Sequence, residues 1–458
     1  MSTNGWTRKR NNGWLAGWRN PDGTERNHGL FDTRKAARNW LATEVLPKLA
    51  RGVSVDPKAG AILFRDAAQA WLDSRRDELK PSTLDGYRYA LRPKGERRGD
   101  GKTLGIDAVW GGYPINAITR DGIQQWVQRM TDAGKKPSTV RHTYEIVRMV
   151  LEQAVIDYRL PANPADHVKL PTNHSAGRTV GVVDDPAMFL TPTQVEALVD
   201  ALPWPYNVYA HLAAWSGLRA AELCALRVGD VKLPDATTGQ LRVDWTVRVI
   251  GGEATYYDPK TKGSRRTVPL PPQTVGVLRD YLSDHPYGDN LDAPLFPNMR
   301  LVPPRPTGLK SDAPTTATAR AQQQVAALAA LTVEEAEARL VLDWSEPLRH
   351  GTFYKAVFRP AVLRANRTAQ ATKDRAAMLP PALKFHALRH TYASICAEHD
   401  VPIREVAAFM GHASPRTTET VYTHLFKKDD HAGAMAKLGA AQATTARRRA
   451  NNVIRLSG

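Results

Sequence analysis

His386-Ala387-Leu388-Arg389-His390-Thr391, then Phe409-Met410-Gly411-His412, then Glu419-Thr420-Val421-Tyr422-Thr423-His424 are the stretches that decide how this chain is read. The first follows a proline-rich turn and has helical composition. Its His386, Arg389 and His390 lie three and four residues apart, on one helical face. The second closes a helix on a glycine, and Tyr422 follows ten residues after His412. Histidines at i and i+4 also suit zinc, but no carboxylate stands between them to act as base and no third ligand is near, so no metal is expected. A lone tyrosine is more often a packing residue than a nucleophile, so Tyr422 gains meaning only from its company.

That company lies upstream. Ser216-Gly217-Leu218-Arg219 with Glu222 reads as a glycine turn into a helix, with Arg219 and Glu222 one turn apart. A surface ion pair would explain this spacing. An arginine bordered by Leu212, Ala213, Ala214 and Trp215 on one side and Leu223, Ala225 and Leu226 on the other suggests a second use, as a planar fork for phosphate oxygens. Strand signals at Leu241–Ile250, Ala254–Asp258 and Arg265–Leu270 predict a small antiparallel sheet, with Lys260 at the tip between the last two. Most turn lysines are solvated and inert. Thr191-Pro192-Thr193-Gln194 is a capping box with proline at the first helical position, and it opens a new domain. Residues 305–345, rich in Ala, Thr and Gln, read as an insertion, with a helix over Thr332–Leu342.

The first part of the chain is organised differently. Residues 1–51 hold ten Lys/Arg and four Asp/Glu, interleaved with Trp6, Trp14, Trp18, Phe31 and Trp40. Short strands around an Asn20-Pro21-Asp22-Gly23 turn and a helix over Arg34–Leu46 make a compact module. Its aromatics can be core and its charges a solvated face, or Arg8, Lys9, Arg10 and Arg19 can contact DNA. After a Gly/Pro/Ser linker at Arg51–Ala61 the period becomes helical: Phe64, Ala67, Ala68, Trp71, Leu72; then Leu84, Tyr87, Leu91. A basic, glycine-rich insert follows at Arg92–Lys102. Next come Ile123, Trp126, Val127, Met130 behind a Thr119 cap, and Val140, Tyr144, Val147, Leu151, Ala154 from Ser138. Lys135 and Lys136 sit at that last helix entry, a candidate phosphate contact or an ordinary capped end. Residues 159–190 read as an interdomain linker.

Composition sets the outer bounds. The 458 residues carry 63 Lys+Arg against 46 Asp+Glu, a formal charge of +17, which favours a polyanionic partner through counterion release. With 42% hydrophobic and 24% charged residues the chain is ordinary globular protein of two to four domains rather than disordered. Cys224 and Cys396 read as small core residues, not a disulfide framework. No apolar run is long enough to span a bilayer, and a cytoplasmic, nucleoid-associated protein with no membrane partner is expected.

Taken in order, an Arg with a Glu one turn later, a Lys between strands, His-x-x-Arg-His, Gly-His and a Tyr resemble the tyrosine recombinase family, the integrases of actinobacterial phages and mobile elements in particular. The resemblance covers Thr191–Phe426 most strongly. It implies a multidomain fold, mainly α with small β-sheets: an N-terminal β-sheet/helix arm-binding module (1–55), a helical core-binding domain (62–165), a mixed α+β catalytic domain (185–430) holding the 305–345 insertion, and a C-terminal helix and tail (431–458) for protomer contact. It implies that Tyr422 attacks a scissile phosphate to leave a 3′-phosphotyrosine. Arg219 and Arg389 would bind the phosphate, Lys260 would protonate the leaving 5′-oxygen, His386 would handle the tyrosine proton and His412 would hydrogen-bond the phosphate. Glu222 would orient its neighbours, and His390 reads as a helix-packing residue. No cofactor is implied. The partners would be double-stranded DNA at core and arm sites, a homotetramer, and accessory host DNA-bending and excision factors. A DNA-binding protein with a dead site, and a strand-relaxing enzyme that never pairs two duplexes, remain open alternatives.

Overall fold

A computed structural model of the chain describes residues 5–96, 101–172, 185, 188–258, 265–302, 317–412 and 414–422. Lys260, the tail 431–458 and the early part of the proposed insertion lie outside these residues. The chain divides into two compact units, Met1–Ala176 and Gly177–Gly458.

The first unit begins with a three-stranded antiparallel meander, Gly5–Arg10, Gly13–Arg19 and Glu25–Phe31. Residues directly opposite in an antiparallel ladder share a face. Thr7 pairs with Ala16 and Lys9 with Trp14, so these line the side covered by helix Arg34–Trp40. Trp6, Arg8 and Arg10 take the open side. Trp18, fully buried, and Trp40 form the small core with Ala16, Ala37 and Leu41. The segment after this module is tied down: Asn20 Oδ1 accepts from Val55 N at 2.8 Å, and Trp18 Nε1 donates to Val55 O at 3.1 Å.

The helical part of this unit comprises Phe64–Ser74, Pro81–Leu91, Arg120–Asp132 and Pro137–Ile156, with shorter turns between. Their apolar stripes meet in one core around Phe64, Trp71, Trp126 and Val147. Full burial of Trp126 alone is worth about 2–3 kcal/mol, and its Nε1 reaches Leu104 O at 2.9 Å. Thr119 caps its helix through Gly122 N as the sequence indicates. The last helix starts one residue earlier than Ser138, at Pro137, because proline suits a first helical position. The stretch after Tyr158 is not a free linker at its start. Leu160 and Ala165 are buried, and Tyr144 donates its hydroxyl to Ala165 O at 2.6 Å.

In the second unit, helices Pro192–Asp200, Tyr206–Ser216, Pro272–Ser283, Arg359–Ala371 and Ala387–Glu398 enclose a large core centred on Tyr206, Tyr209, Phe296, Phe353 and Phe385. Two sequence expectations need correction. Leu241–Ile250 is not one strand: Gln240–Val243 joins a sheet with Val231–Lys232 and Arg266–Pro269, while Thr246–Ile250 turns away to pair with Glu253–Tyr257. The chain turns at Asp244, whose carboxylate pairs with Arg242 at 3.0 Å. Thr332–Leu342 likewise divides. Thr332 caps the short helix Val333–Glu337, and Leu340–Pro347 is a strand paired with Pro297–Leu301. Alternate burial against a partner strand, which local propensity does not report, decides that end.

Helix Ala317–Ala330 is docked rather than looped out. Leu328 and Ala329 are buried, and the buried Arg364 donates to the carbonyls of Leu328 at 2.9 Å and Leu331 at 2.8 Å. Those oxygens belong to the unpartnered end of that helix and the turn after it, where a cation is favoured. No helix among the described residues is long and apolar enough to cross a membrane.

Candidate active site

Helix Tyr206–Ser216 ends on Gly217 in the left-handed region (φ 64°), which turns the chain so that Arg219 begins the short helix Ala220–Leu223. A β-carbon at Gly217 would overlap the ring of Tyr392. Glu222, one turn on, is 3% exposed and accepts from Arg219 twice: from its backbone N at 2.8 Å and from its guanidinium at 3.0 Å. The other guanidinium nitrogen donates to Gly411 O at 3.1 Å.

A third arginine, which the sequence reading did not single out, completes this corner. Arg266 on strand Arg266–Pro269 donates to both oxygens of Glu222, at 3.1 and 2.9 Å, and to Phe409 O at 2.6 Å. Burial works to raise the Glu222 carboxyl. The hydrogen bond and charge of Arg266, with those of Arg219, overcome it and leave Glu222 below the ordinary value. In the sequence Arg266 is one of two adjacent arginines at a strand start, and only the pairing with Gln240–Val243 turns it inward.

Helix Ala387–Glu398 supplies the second guanidinium. Arg389 is 4% exposed; it donates to Gly217 O, and its other nitrogen lies 2.8 Å from Nε2 of His412. Burial, then the charge of Arg219, lowers it to about 9; at neutral pH the guanidinium still keeps its proton. His412 follows helix Ile403–Met410, which ends at Gly411 with φ 65°. A β-carbon at Gly411 would stand 2.6 Å from the Arg266 guanidinium, so glycine serves both the turn and the close approach. Nδ1 of His412 sits 2.5 Å from the Thr418 hydroxyl, which orients the ring. Burial, with help from Arg389, Arg219 and Arg266, pushes His412 down to about 4.

Tyr422 ends helix Pro415–Tyr422 and is 2% exposed. Its ring lies nearly parallel to that of His412 with centroids 6.5 Å apart. Its hydroxyl is 2.7 Å from Nδ1 of His390, itself 7% exposed. The histidine on the tyrosine hydroxyl is thus His390, read from sequence as packing, rather than His386, which meets His390 edge-on at 4.9 Å. Burial raises Tyr422 to about 12, against the pull of the Arg389 and Arg219 charges.

Arg219, Arg389, His412 and Tyr422 therefore surround one corner, built on the Gly217 and Gly411 turns. It is rich in fixed positive charge, with Glu222 as its buried counter-charge. Such a corner can hold a phosphodiester, stabilise charge developing on its nonbridging oxygens, and present a hydroxyl to phosphorus. Lys260 is outside the described residues. The described strands on either side of it pair elsewhere, Glu253–Tyr257 with Thr246–Ile250 and Arg266–Pro269 with Gln240–Val243, and Asp258 pairs with Arg265 at 2.6 Å. Among the described residues no cluster of His, Cys, Asp and Glu is arranged for a metal. Of the proposed DNA contacts, Arg8, Lys9 and Arg10 are exposed, Arg19 pairs with Glu25 at 2.5 Å, and Lys136 is the exposed N-cap of its helix, next to Lys135.

The family model described as the phage integrase family matches residues 188–429, more than half of the chain. Similar proteins include the integrase of Mycobacterium phage D29, 27% identical over 56% of this chain and 63% of that one. The integrase of Streptomyces ambofaciens is 24% identical over 90% of this chain and 88% of that one. This chain thus spans somewhat under two thirds of the D29 protein's length in the matching region. Among solved structures, the Tn1549 transposon integrase with a circular intermediate DNA matches at TM-score 0.49 and 16% identity, over 82% of this chain and 99% of that one.

Proposed function

Because this chain belongs to the phage integrase family, we propose that it is a site-specific recombinase that cuts and rejoins DNA through Tyr422, integrating or excising a phage or mobile element. The observation that carries this is the convergence of Arg219, Arg389 and His412 beside the Tyr422 ring. Tyr422 attacks the scissile phosphorus, the 5′-oxygen leaves, and a 3′-phosphotyrosine remains. Arg219 and Arg389 neutralise the nonbridging oxygens, and His412, whose Nε2 accepts from Arg389, holds that guanidinium in place. Lys260 protonates the departing 5′-oxygen, a poor leaving group without a proton. Glu222, clamped by Arg266, keeps Arg219 aimed at the phosphate. The phosphotyrosine conserves the bond, so a second 5′-hydroxyl can reverse the step on a new partner with no nucleotide cofactor.

Around this chemistry, residues 1–55 bind arm sites, 62–165 bind core sites, 185–430 perform catalysis, and 431–458 join protomers. The open face of the N-terminal sheet, with Trp6, Arg8 and Arg10, supports arm binding. The working species is a homotetramer on two duplexes in the bacterial cytoplasm, assisted by DNA-bending and excision factors.

The test is covalent trapping on nicked duplexes spanning the ends of the element that encodes the chain. The wild type is expected to give a protein–DNA adduct on a denaturing gel in EDTA, and Tyr422→Phe none. An adduct from Tyr422→Phe would assign the nucleophile elsewhere. Binding without reaction by both proteins would favour a dead site.

A further inference from the structure

We infer that His390 accepts the proton of Tyr422 as its hydroxyl attacks phosphorus, making His390 rather than His386 the general base of strand cleavage. This rests on the reading of Tyr422 as nucleophile. The geometry is direct: Nδ1 of His390 lies 2.7 Å from the Tyr422 oxygen, within the range from which a base can abstract a proton. The pair is buried, with Tyr422 at 2% and His390 at 7% exposure, so bulk water does not compete for that proton in this arrangement. Phe189 meets the imidazole edge-on at 6.3 Å and His386 at 4.9 Å, which fixes the plane of the ring.

The protonation states fit this direction of transfer. Burial, then His386 and Arg389, pushes His390 down to about 4, so a neutral ring is ready to accept at neutral pH. Tyr422, raised to about 12, still carries its proton and donates it. The groups facing His390 are His386 and Arg389 from its own helix and Tyr422 from helix Pro415–Tyr422. A base of low proton affinity beside a weak acid is a poor match in the resting state. It improves when a phosphodiester occupies the guanidinium corner, because the dianionic charge that builds up there offsets the Arg389 charge bearing on His390. In the step the tyrosine O–H bond breaks and its proton goes to Nδ1. The tyrosine oxygen–phosphorus bond forms, the phosphorus–O5′ bond breaks, and O5′ takes a proton from Lys260. Rejoining runs the same transfers backwards, with His390 returning its proton to Tyr422.

The experiment compares wild type, His390→Asn, His390→Ala and Lys260→Ala on the nicked element-end duplexes, at matched DNA occupancy. Each duplex is made with an ordinary phosphate and with sulfur in place of the bridging 5′-oxygen. Asparagine can accept the tyrosine hydrogen bond but cannot take its proton. Sulfur leaves without a proton, so it relieves loss of the acid but not loss of the base. We expect both His390 variants to cleave about 100-fold slower or worse, with no relief by sulfur and partial recovery as pH rises toward the tyrosine range, while Lys260→Ala is rescued by sulfur. Asparagine within a few-fold of wild type would show that orienting the hydroxyl suffices and would overturn the proton transfer. Rescue of the His390 variants by sulfur would move their role to the leaving group and overturn it as well. A wild type that forms no adduct, or an adduct that survives Tyr422→Phe, would instead refute the underlying reading of Tyr422.

Discussion

Glu222→Gln perturbs the corner at one atom. The carboxylate lies 3% exposed and holds Arg266, whose side chain is 7% exposed, through two hydrogen bonds of 2.9 and 3.1 Å. Glutamine presents an N–H₂ where one guanidinium expects an acceptor, and it leaves the buried Arg266 charge without its counter-charge. Removing one partner of a buried pair costs about 3–5 kcal/mol. The Arg219 half adds little, since that guanidinium is 41% exposed and water screens it. At roughly 2 °C per kcal/mol for a unit of this size, melting of the second unit should fall by about 6–10 °C.

The pH dependence gives an independent reading of the same pair. Glu222 in the folded state lies below its ordinary 4.5, so its contribution to stability is present above that value and is lost as pH falls below it. Wild type should therefore lose stability in that range, while Glu222→Gln stays flatter there. Thermal unfolding by near-ultraviolet circular dichroism from pH 3 to 7 measures both. A melting change under about 2 °C, or parallel pH profiles for the two proteins, would refute the account of Glu222 as the counter-charge.

Arg266→Gln should cost a similar amount, and the double variant with Glu222→Gln less than the sum of the two, as a double-mutant cycle on melting would show. Gly217→Ala should add about 1–3 kcal/mol of backbone strain, displace Tyr392 and the carbonyl that holds Arg389, and abolish adduct formation by a protein that remains folded in its first unit. Arg364→Ala orphans buried carbonyls at Ala201, Leu328 and Leu331 and should destabilise by about 2–4 kcal/mol, with faster hydrogen exchange in helix Ala317–Ala330. Replacing Arg8 and Arg10 with alanine should weaken DNA binding and reduce the salt slope by up to about 1.8, one phosphate for each. His390 and His412, both pushed down to about 4, are neutral from pH 6 to 8. In the DNA-free protein neither imidazole should titrate in that window by NMR, and a titration centred near 6.5 would contradict their burial.

The order Arg219, Glu222, His386, Arg389, His412, Tyr422 was legible in the chain because these residues stand at local landmarks: a glycine turn, a helix face, a helix end. Their partners at i+3 and the Thr119 and Thr191 caps were legible for the same reason, since three or four residues of sequence determine them. Tertiary structure alone decided what comes from distant segments. Arg266 meets Glu222 across 44 residues, Arg389 meets the Gly217 carbonyl across 172, and Arg364 meets Ala201 across 163. It also decided that Leu340–Pro347 is a strand and not the end of a helix, because its partner is Pro297–Leu301. Above all it decided between two histidines four residues apart. His386 and His390 share a face in the sequence, and only the path of helix Pro415–Tyr422 brings the tyrosine hydroxyl onto His390. Periodicity reports which side of a helix a residue occupies; what packs there depends on loop closures that local sequence does not encode.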